Sequence, residues 1–314
     1  MKKPIPVILD ADPGHDDAIA WVVANASKDL KILACTAVNG NCNVYKAAYN
    51  SQRIMALIGL DVPVARGKNC PLYRQRLQAP TNVHGESGLD GPALPEPKRE
   101  LDSRSAAQLM ADVLSESEEK VVIVATGPLT NVATLLLGYP ELKDKIEAIS
   151  IMGGGIRYGN WTPAAEFNIL VDPEAADIVF SSGIQVIMAG LDVTEKALVY
   201  PEDVEIIRQI GNPVSEIVWR WLEFFYKFHL GLGYPGAPMH DLCAVMALIH
   251  PEVFTIEEMY VEVETEGCYS VGQTVGDIRN LNNRKPNTRV LMDVDRRRFI
   301  DLMIDYIRSY SEVK

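Results

Sequence analysis

The chain has 314 residues, 47% hydrophobic and 23% charged, an ordinary globular composition long enough for one large domain or two small ones. Its 30 Lys and Arg against 42 Asp and Glu leave a net charge of −12, which repels phosphate backbones and anionic lipid and argues against nucleic-acid and membrane partners. The five cysteines are scattered and form no C-x-x-C pair, which excludes a disulfide scaffold or zinc ribbon and suits a reducing cytoplasm.

After Met1-Lys2-Lys3-Pro4, the apolar run Ile5 to Leu9 is too short for a signal-peptide core and has the length of a buried strand. It stops at a turn cluster, Asp10 to Gly14. His15 to Ala26 has helical spacing, with Ile19, Val22, Val23 and Ala26 on one face. A second strand (Ile32 to Val38), a second helix (Val44 to Leu60) and a short strand (Val62 to Ala65) follow. The Gly- and Pro-rich stretch from Gly67 to Pro97 has no period and reads as a loop, and so long a loop is usually functional.

The alternation then resumes. Ser105 to Leu114 reads as helix, Val121 to Ala125 as strand and Leu129 to Leu137 as helix. The uncharged stretch from Val121 to Pro140 has membrane-spanning length, but Thr126, Gly127, Pro128, Thr130, Asn131 and Thr134 break it. Ile146 to Met152 is a strand ending in Gly153-Gly154-Gly155, Pro173 to Phe180 a helix and Ile184 to Met188 a strand. Helices follow at Val204 to Ile210, Val214 to His229 and Asp241 to Ile249. Met259 to Glu264 and Thr288 to Val294 alternate like exposed strands, and Arg296 to Tyr310 closes the chain as a helix.

Strands alternating with helices imply right-handed βαβ units: an α/β chain with an open, mainly parallel sheet flanked by helices, a small antiparallel C-terminal addition, and one domain over 1–314. Such sheets place their sites outside the carboxyl ends of the strands. There stand Asp10, Asp12, Asp16 and Asp17 after the first strand, and Asn39 and Asn41 after the second. Thr126 and Gly127, then Met152 and three glycines, follow two more.

Asp10 to Asp17 holds four carboxylates in eight residues. An acidic helix start accounts for Asp16 or Asp17 singly. It accounts poorly for four together, which repel unless a cation or hydrogen-bond donors intervene. A hard divalent ion such as Ca²⁺, which accepts many oxygens in loose geometry, is the simplest remedy. His240-Asp241 sits at a helix start, where a carboxylate is often only a cap. Glu166-Phe167-Asn168 lies in an irregular segment after Gly159-Asn160, and His84 to Gly88 lies in the long loop. Neither segment is informative alone. The three glycines lack dinucleotide or P-loop spacing, and no G-x-S-x-G elbow occurs.

Together these residues carry a resemblance. Asp10-x-Asp12-Pro-Gly-x-Asp16-Asp17 is similar to the opening signature of the nucleoside hydrolases, the inosine-uridine-preferring N-ribohydrolase family. The likeness continues through Gly40-Asn41, His84-Gly-Glu-Ser-Gly and Thr126-Gly-Pro-Leu-Thr-Asn131. It then runs through Met152-Gly-Gly-Gly155, Ala165-Glu-Phe-Asn168, Asp172-Pro-Glu-Ala175 and His240-Asp241. Any one motif is weak, but the ordered set from residue 10 to 241 is specific.

The resemblance implies a Rossmann-like core and Ca²⁺-dependent hydrolysis of the N-glycosidic bond of ribonucleosides. It implies Ca²⁺ held by Asp12, Asp17, Asp241 and the main-chain carbonyl of Thr126; Asp10 matches none of these ligands and is expected to orient them. Asp12 is implied as the base that takes a proton from water, and His240 as the proton donor to the leaving base. Asp16, Asn41, Asn160, Glu166, Asn168 and Asp241 match residues that grip ribose hydroxyls. His84, Met152 and Phe167 fall on the substrate side as well. An anionic cup suits the oxocarbenium-like transition state. A homotetramer is typical of the family, with a dimer as the alternative.

Gly14-His15-Asp-Asp and His84-Gly-Glu-Ser-Gly-Leu-Asp-Gly91 look most like the pyrimidine-preferring members. The segment from Phe224 to Tyr234, expected to flank the base, departs from theirs and also reads as the aromatic stripe of an amphipathic helix. Purine-preferring or non-specific hydrolysis is therefore the alternative. More remote are a haloacid-dehalogenase-like phosphatase, which leaves Asp16-Asp17 without a role, and a non-catalytic sugar- or Ca²⁺-binding module.

Overall fold

Alternation along the first strand, β1 (Ile5–Ala11), divides its side chains between two cores. The computed structural model describes residues 3–77 and 81–311. Val7 and Leu9 point into a core built with the helices His15–Ala26, His240–Ile249 and Arg296–Ser309. Ile8 points the other way, toward the helices Ala106–Glu116, Thr130–Gly138 and Pro173–Phe180. Residues apolar on both faces have no solvent side, which is why the parallel strands read as unbroken Val/Ile runs.

The remaining strands are β2 (Leu30–Ala37), β3 (Val64–Arg66), β4 (Val121–Ala125), β5 (Ile146–Met152) and β6 (Val186–Ala189), followed by β7 (Leu198–Val199) and β8 (Ala237–Pro238). Last come β9 (Phe254–Met259), β10 (Val261–Val263), β11 (Thr274–Gly276) and β12 (Thr288–Val294). Eight of the strands form one sheet in the order β3-β2-β1-β4-β5-β6-β12-β9. All are parallel except β9, which pairs antiparallel with β12. β10–β11 and β7–β8 are small antiparallel ladders. The expected mainly parallel sheet with a small antiparallel addition is therefore what forms. Its order turns back between β1 and β4, and a crevice opens there at the carboxyl ends.

The helix His15–Ala26 and the strands Val121–Ala125, Ile146–Met152 and Thr288–Val294 fall where the sequence places them. Three expectations change. Thr288–Val294 is not an exposed strand: β6 and β9 cover both its edges, Leu291 enters one core, and Val290 and Met292 enter the other. Met259 to Glu264 divides into the end of β9 and β10. The long loop contains a short helix, Thr81–His84, while its residues 78–80 lie outside the described residues, as do Met1 and Lys2 of the N-terminal reading. No helix among the described residues is long and apolar enough to cross a membrane.

The closing helix seals the core that backs the site. Its Phe299 is fully buried and meets Phe254 edge-on, with ring centroids 5.9 Å apart. Phe299→Ala should cost about 3–5 kcal/mol, the usual range for an aromatic cavity in a core. Urea unfolding followed by circular dichroism measures it, and a loss below about 1 kcal/mol would mean that this helix packs loosely.

Candidate active site

The sheet register sets the first carboxylate. Asp10 pairs with Thr36 across β1 and β2, and the Thr36 hydroxyl donates to Asp10 Oδ1 at 2.6 Å. Asn131 Nδ2 donates to the same oxygen at 2.8 Å and also to the Ala37 carbonyl at 3.0 Å. Burial pushes the Asp10 carboxyl up to about 7, although these two donors pull against it. Asp10 thus ties β1, β2 and the helix after β4 together beneath the site.

One layer further out, Asp12 Oδ2 accepts the Asn41 amide at 2.5 Å. Gly40 permits this approach: a Cβ there would stand 1.9 Å from Asp12 Oδ2. Asp17 Oδ1 accepts from the Thr126 hydroxyl at 2.6 Å, and its Oδ2 accepts the Gly14 amide at 2.9 Å. Asn41 Nδ2 reaches Asp17 Oδ2 at 3.4 Å.

Two helix N-termini converge at this point. Asp16 and Asp17 lie in the first turn of His15–Ala26, and Asp241 lies in the first turn of His240–Ile249. Carboxylate oxygens of Asp16, Asp17 and Asp241 lie within 4.8 Å of one another. The helix dipoles favour negative charge here, but each is worth only about 0.3–1 kcal/mol. Burial dominates: it pushes Asp16 up to about 8 and Asp12, Asp17 and Asp241 upward as well, and mutual repulsion adds to this for Asp12, Asp16 and Asp241.

Such a set fits a metal ion. The donors are all oxygens, and Asp12 Oδ1 is buried with no hydrogen-bond partner among the described residues. A cation inverts the cost of burying like charges. The closest trio is Asp16, Asp17 and Asp241, which places Asp16, expected on ribose, among the carboxylates that could hold an ion; Asp12 adjoins the trio through Asn41.

Beside the carboxylates opens a cavity of about 300 Å³. Asp16, Asn41, Thr126, Met152 and Asp241 line it at one end, with Asn160, Glu166, Phe167 and Asn168 as its wall. Glu166 is no irregular-loop residue. It caps the helix Phe167–Val171, accepting the Asn168 amide at 2.9 Å and the Ile169 amide at 3.2 Å, while Oε2 also accepts the Gly154 amide at 2.9 Å. Burial pushes it up to about 7 against those donors. Asn168 Nδ2 donates to the carbonyls of Thr126 at 2.8 Å and Met152 at 3.2 Å, which orients its amide oxygen. Asn160 Oδ1 accepts the Phe167 amide at 3.0 Å.

The other end is aromatic and histidine-rich. Phe225, Phe228 and His229 project into it from the helix Pro213–Gly231, and Leu232 and Tyr234 follow. The Phe224 to Tyr234 segment thus serves both readings: Phe225 is core, and the same stripe walls the cavity. His240 enters from the first helical turn, its Nδ1 2.8 Å from the Thr194 hydroxyl. Burial pushes its imidazole down to about 3, so the ring is neutral rather than titrating near working pH.

All expected substrate-side residues line the cavity, as do His240 and Thr126. Val83, Trp161 and Glu195 line it too and were not anticipated, and His229 lines it from within the segment expected to flank the base. His229 stands four residues after Phe225 on the same helix face, which turns both toward the cavity. Glu195, held by Tyr234 Oη at 2.6 Å and Tyr158 Oη at 2.9 Å, lies in no motif and joins the site only through folding.

Carboxylates facing an amide wall and an aromatic end, at the switch point of a parallel sheet, suit a polar sugar joined to a flat base. The chain belongs to the inosine-uridine preferring nucleoside hydrolase family, whose model matches residues 7–301, and it is a ribonucleoside hydrolase. It is 54% identical over 310 residues to the pyrimidine-specific ribonucleoside hydrolase RihA of Escherichia coli O1:K1, covering 98% of this chain and 99% of that one. The purine-preferring ribonucleoside hydrolase from Gardnerella vaginalis superposes with a TM-score of 0.92 at 29% identity, covering 98% and 100% of the two chains. The plant nucleoside hydrolase PpNRh1 superposes with a TM-score of 0.90 at 29% identity, covering 97% and 99%.

The close approach at Gly40 gives a direct test of Asp12 placement. Gly40→Ala should displace the Asp12 carboxylate and lower kcat/KM about 10²-fold, the scale of an ångström-sized misplacement. Steady-state assays with circular dichroism check it. A folded variant of full activity would remove Asp12 from the reaction.

Proposed function

We propose that the chain hydrolyses pyrimidine ribonucleosides, uridine and cytidine before inosine, and that it holds Ca²⁺ while doing so. The observation that supports the reaction best is the set of buried, mutually repelling carboxylates facing one end of the cavity. Asp12, Asp17, Asp241 and the Thr126 carbonyl would hold the ion, all oxygen donors as Ca²⁺ prefers. When bound, Ca²⁺ supplies the positive charge that keeps these carboxylates ionised, and it makes water a stronger acid.

The chain's own residues carry the remaining work. Asp12, whose Oδ1 has no other partner among the described residues, takes a proton from the attacking water. Hydroxide adds to the anomeric carbon as the bond to the base nitrogen breaks. Asp16, Asn41, Glu166 and Asn168 hold the ribose hydroxyls. The carboxylates of Asp16 and Glu166, when ionised, stabilise the cationic transition state more than the neutral substrate. At the far end, His240 offers its ring to the departing base. Its Nδ1 is engaged by the Thr194 hydroxyl; with that hydroxyl as the donor, the ring proton stands on Nε2 and can be shared with the base. The pyrimidine preference is supported by the 54% identity to a pyrimidine-specific hydrolase over nearly the whole chain, against 29% to a purine-preferring one.

Three measurements test this reading. In a panel of uridine, cytidine, inosine and adenosine, kcat/KM should be highest for a pyrimidine, and chelation of Ca²⁺ should abolish turnover and lower Tm. Higher kcat/KM on inosine overturns the base preference; full activity in metal-free protein overturns the ion. His240→Ala should lower kcat on uridine by about 10²–10³, the scale of a lost hydrogen-bond donor to developing negative charge, and far less on p-nitrophenyl riboside, whose leaving group is stable as an anion. Equal losses on both would make His240 a support for Asp241.

A further inference from the structure

Three main-chain amides hold the Glu166 carboxylate in the cavity wall. Oε1 accepts the Asn168 amide at 2.9 Å, and Oε2 accepts the amides of Ile169 at 3.2 Å and Gly154 at 2.9 Å. A carboxylate has about four acceptor positions, so one remains for a donor inside the cavity that Glu166 lines. The Asn168 and Ile169 amides belong to the helix that Glu166 caps, and they move with it. Of the three, only the Gly154 amide comes from elsewhere, from the turn after β5. That contact ties the carboxylate to the sheet and sets where its remaining acceptor position points.

The turn itself is held by a residue far along the chain. Thr274 is fully buried on β11, where it pairs with Val263 of β10. Its hydroxyl accepts the Gly155 amide at 2.9 Å and donates to the Gly155 carbonyl at 2.9 Å, so one side chain fixes both polar groups of the residue next to Gly154. The flanks of the turn have other partners: the Leu191 amide donates to the Gly154 carbonyl at 2.9 Å, and the Ile156 amide to Asp192 Oδ2 at 2.6 Å. The chain entering β11 also packs on the segment that bears Glu166. A Cβ at Gly272 would stand 3.0 Å from Leu170 Cα and 3.1 Å from Ala165 Cβ. The β10–β11 ladder thus touches both sides of the Gly154–Glu166 contact, while Thr274 is not one of the described residues that line the cavity.

We propose that Thr274 is a positioning residue for Glu166: by clamping Gly155 it aims the Gly154 amide, and through that amide the open acceptor position of Glu166, at a ribose hydroxyl of the substrate. Thr274 touches no substrate; it acts through Gly154 and Glu166. The proposal rests on the reading above that Glu166 holds such a hydroxyl. Thr274→Val keeps the side-chain shape and removes the hydroxyl. It leaves the Gly155 amide and carbonyl buried without their partner, and the turn shifts to pair them again. Thr274→Ser keeps the hydroxyl and loses only a methyl group.

Steady-state assays of the full-length protein on uridine and its 2′-, 3′- and 5′-deoxy forms test it. Glu166→Gln should weaken the discrimination against one of the three deoxynucleosides, which identifies the hydroxyl that Glu166 holds. Thr274→Val should weaken discrimination at that same hydroxyl by about tenfold, part of the roughly hundredfold loss that an ångström of misplacement brings, and leave the other two ratios unchanged. Thr274→Ser should keep all three. If circular dichroism shows Thr274→Val unfolded, Thr274→Ala removes the hydroxyl with less bulk and carries the same expectation. Equal losses on all four substrates, or the same selective loss with Ser, would make Thr274 a packing residue. A second readout needs no substrate. In nitrogen-15 glycine-labelled protein the Gly154 amide resonance should move in Glu166→Gln and in Thr274→Val and stay in place in Thr274→Ser; an unmoved resonance in Thr274→Val overturns the proposal. If Glu166→Gln changes no ratio, the ribose reading of Glu166 fails instead, and the resonance still decides whether Thr274 places the carboxylate.

Discussion

Four aspartates buried at the meeting of two helix N-termini are the constraint on which the site depends. Burying an unpaired charge is far more costly than the fraction of a kcal/mol a helix dipole returns. Asp12, Asp16, Asp17 and Asp241 are all pushed toward their protonated forms by burial. Only donors and a cation bring them back. The Gly14, Asn41 and Thr126 contacts give each of Asp12 and Asp17 an orientation, and Asp12 Oδ1 is left without a partner among the described residues. The arrangement is therefore costly by itself and suited to binding, the usual balance at a functional site.

The supports behind the carboxylates explain why the surrounding residues are so polar in a buried place. Asp10, Thr36 and Asn131 form a small network in the sheet itself, and Asn131 Oδ1 also receives the Lys68 amide at 3.0 Å. Through it the end of β1 is tied to the start of the long loop and to the helix after β4. Buried networks of this kind hold geometry only when nearly every group is paired. The Glu166 cap and the Asn168 amide repeat the principle on the opposite wall, each spending its protein contacts on backbone groups and keeping one face toward the cavity.

At the far end the chemistry changes from anionic to neutral and aromatic. His84, His229 and His240 all lose basicity through burial, so three imidazoles stand together without repelling. Neutral rings there act by the placement of single protons rather than by charge. The division suits a substrate whose sugar gains positive charge while its base gains electrons.

Much of this was legible in the sequence. Unbroken Val/Ile runs alternating with helical periods identify a parallel sheet, because buried strands and amphipathic helices have different periods. The acidic cluster was legible for a similar reason: Asp10 to Asp17 are neighbours in the chain, and local like charge needs a remedy wherever it is folded. Ordered motifs then located Asn41, Glu166, Asn168 and Asp241. What the sequence did not decide is which of these distant residues touch. Asp241 joins Asp16 and Asp17 only because two helices over 200 residues apart pack side by side. Thr288–Val294 became an interior strand because β9 covers its edge, which alternation along the strand cannot reveal. Glu195 entered the cavity, and the His240 ring became neutral, through burial by the whole fold. Composition and local pattern determine elements and residue types; contact, desolvation and proton position arise only when the tertiary structure removes water from between residues far apart in the chain.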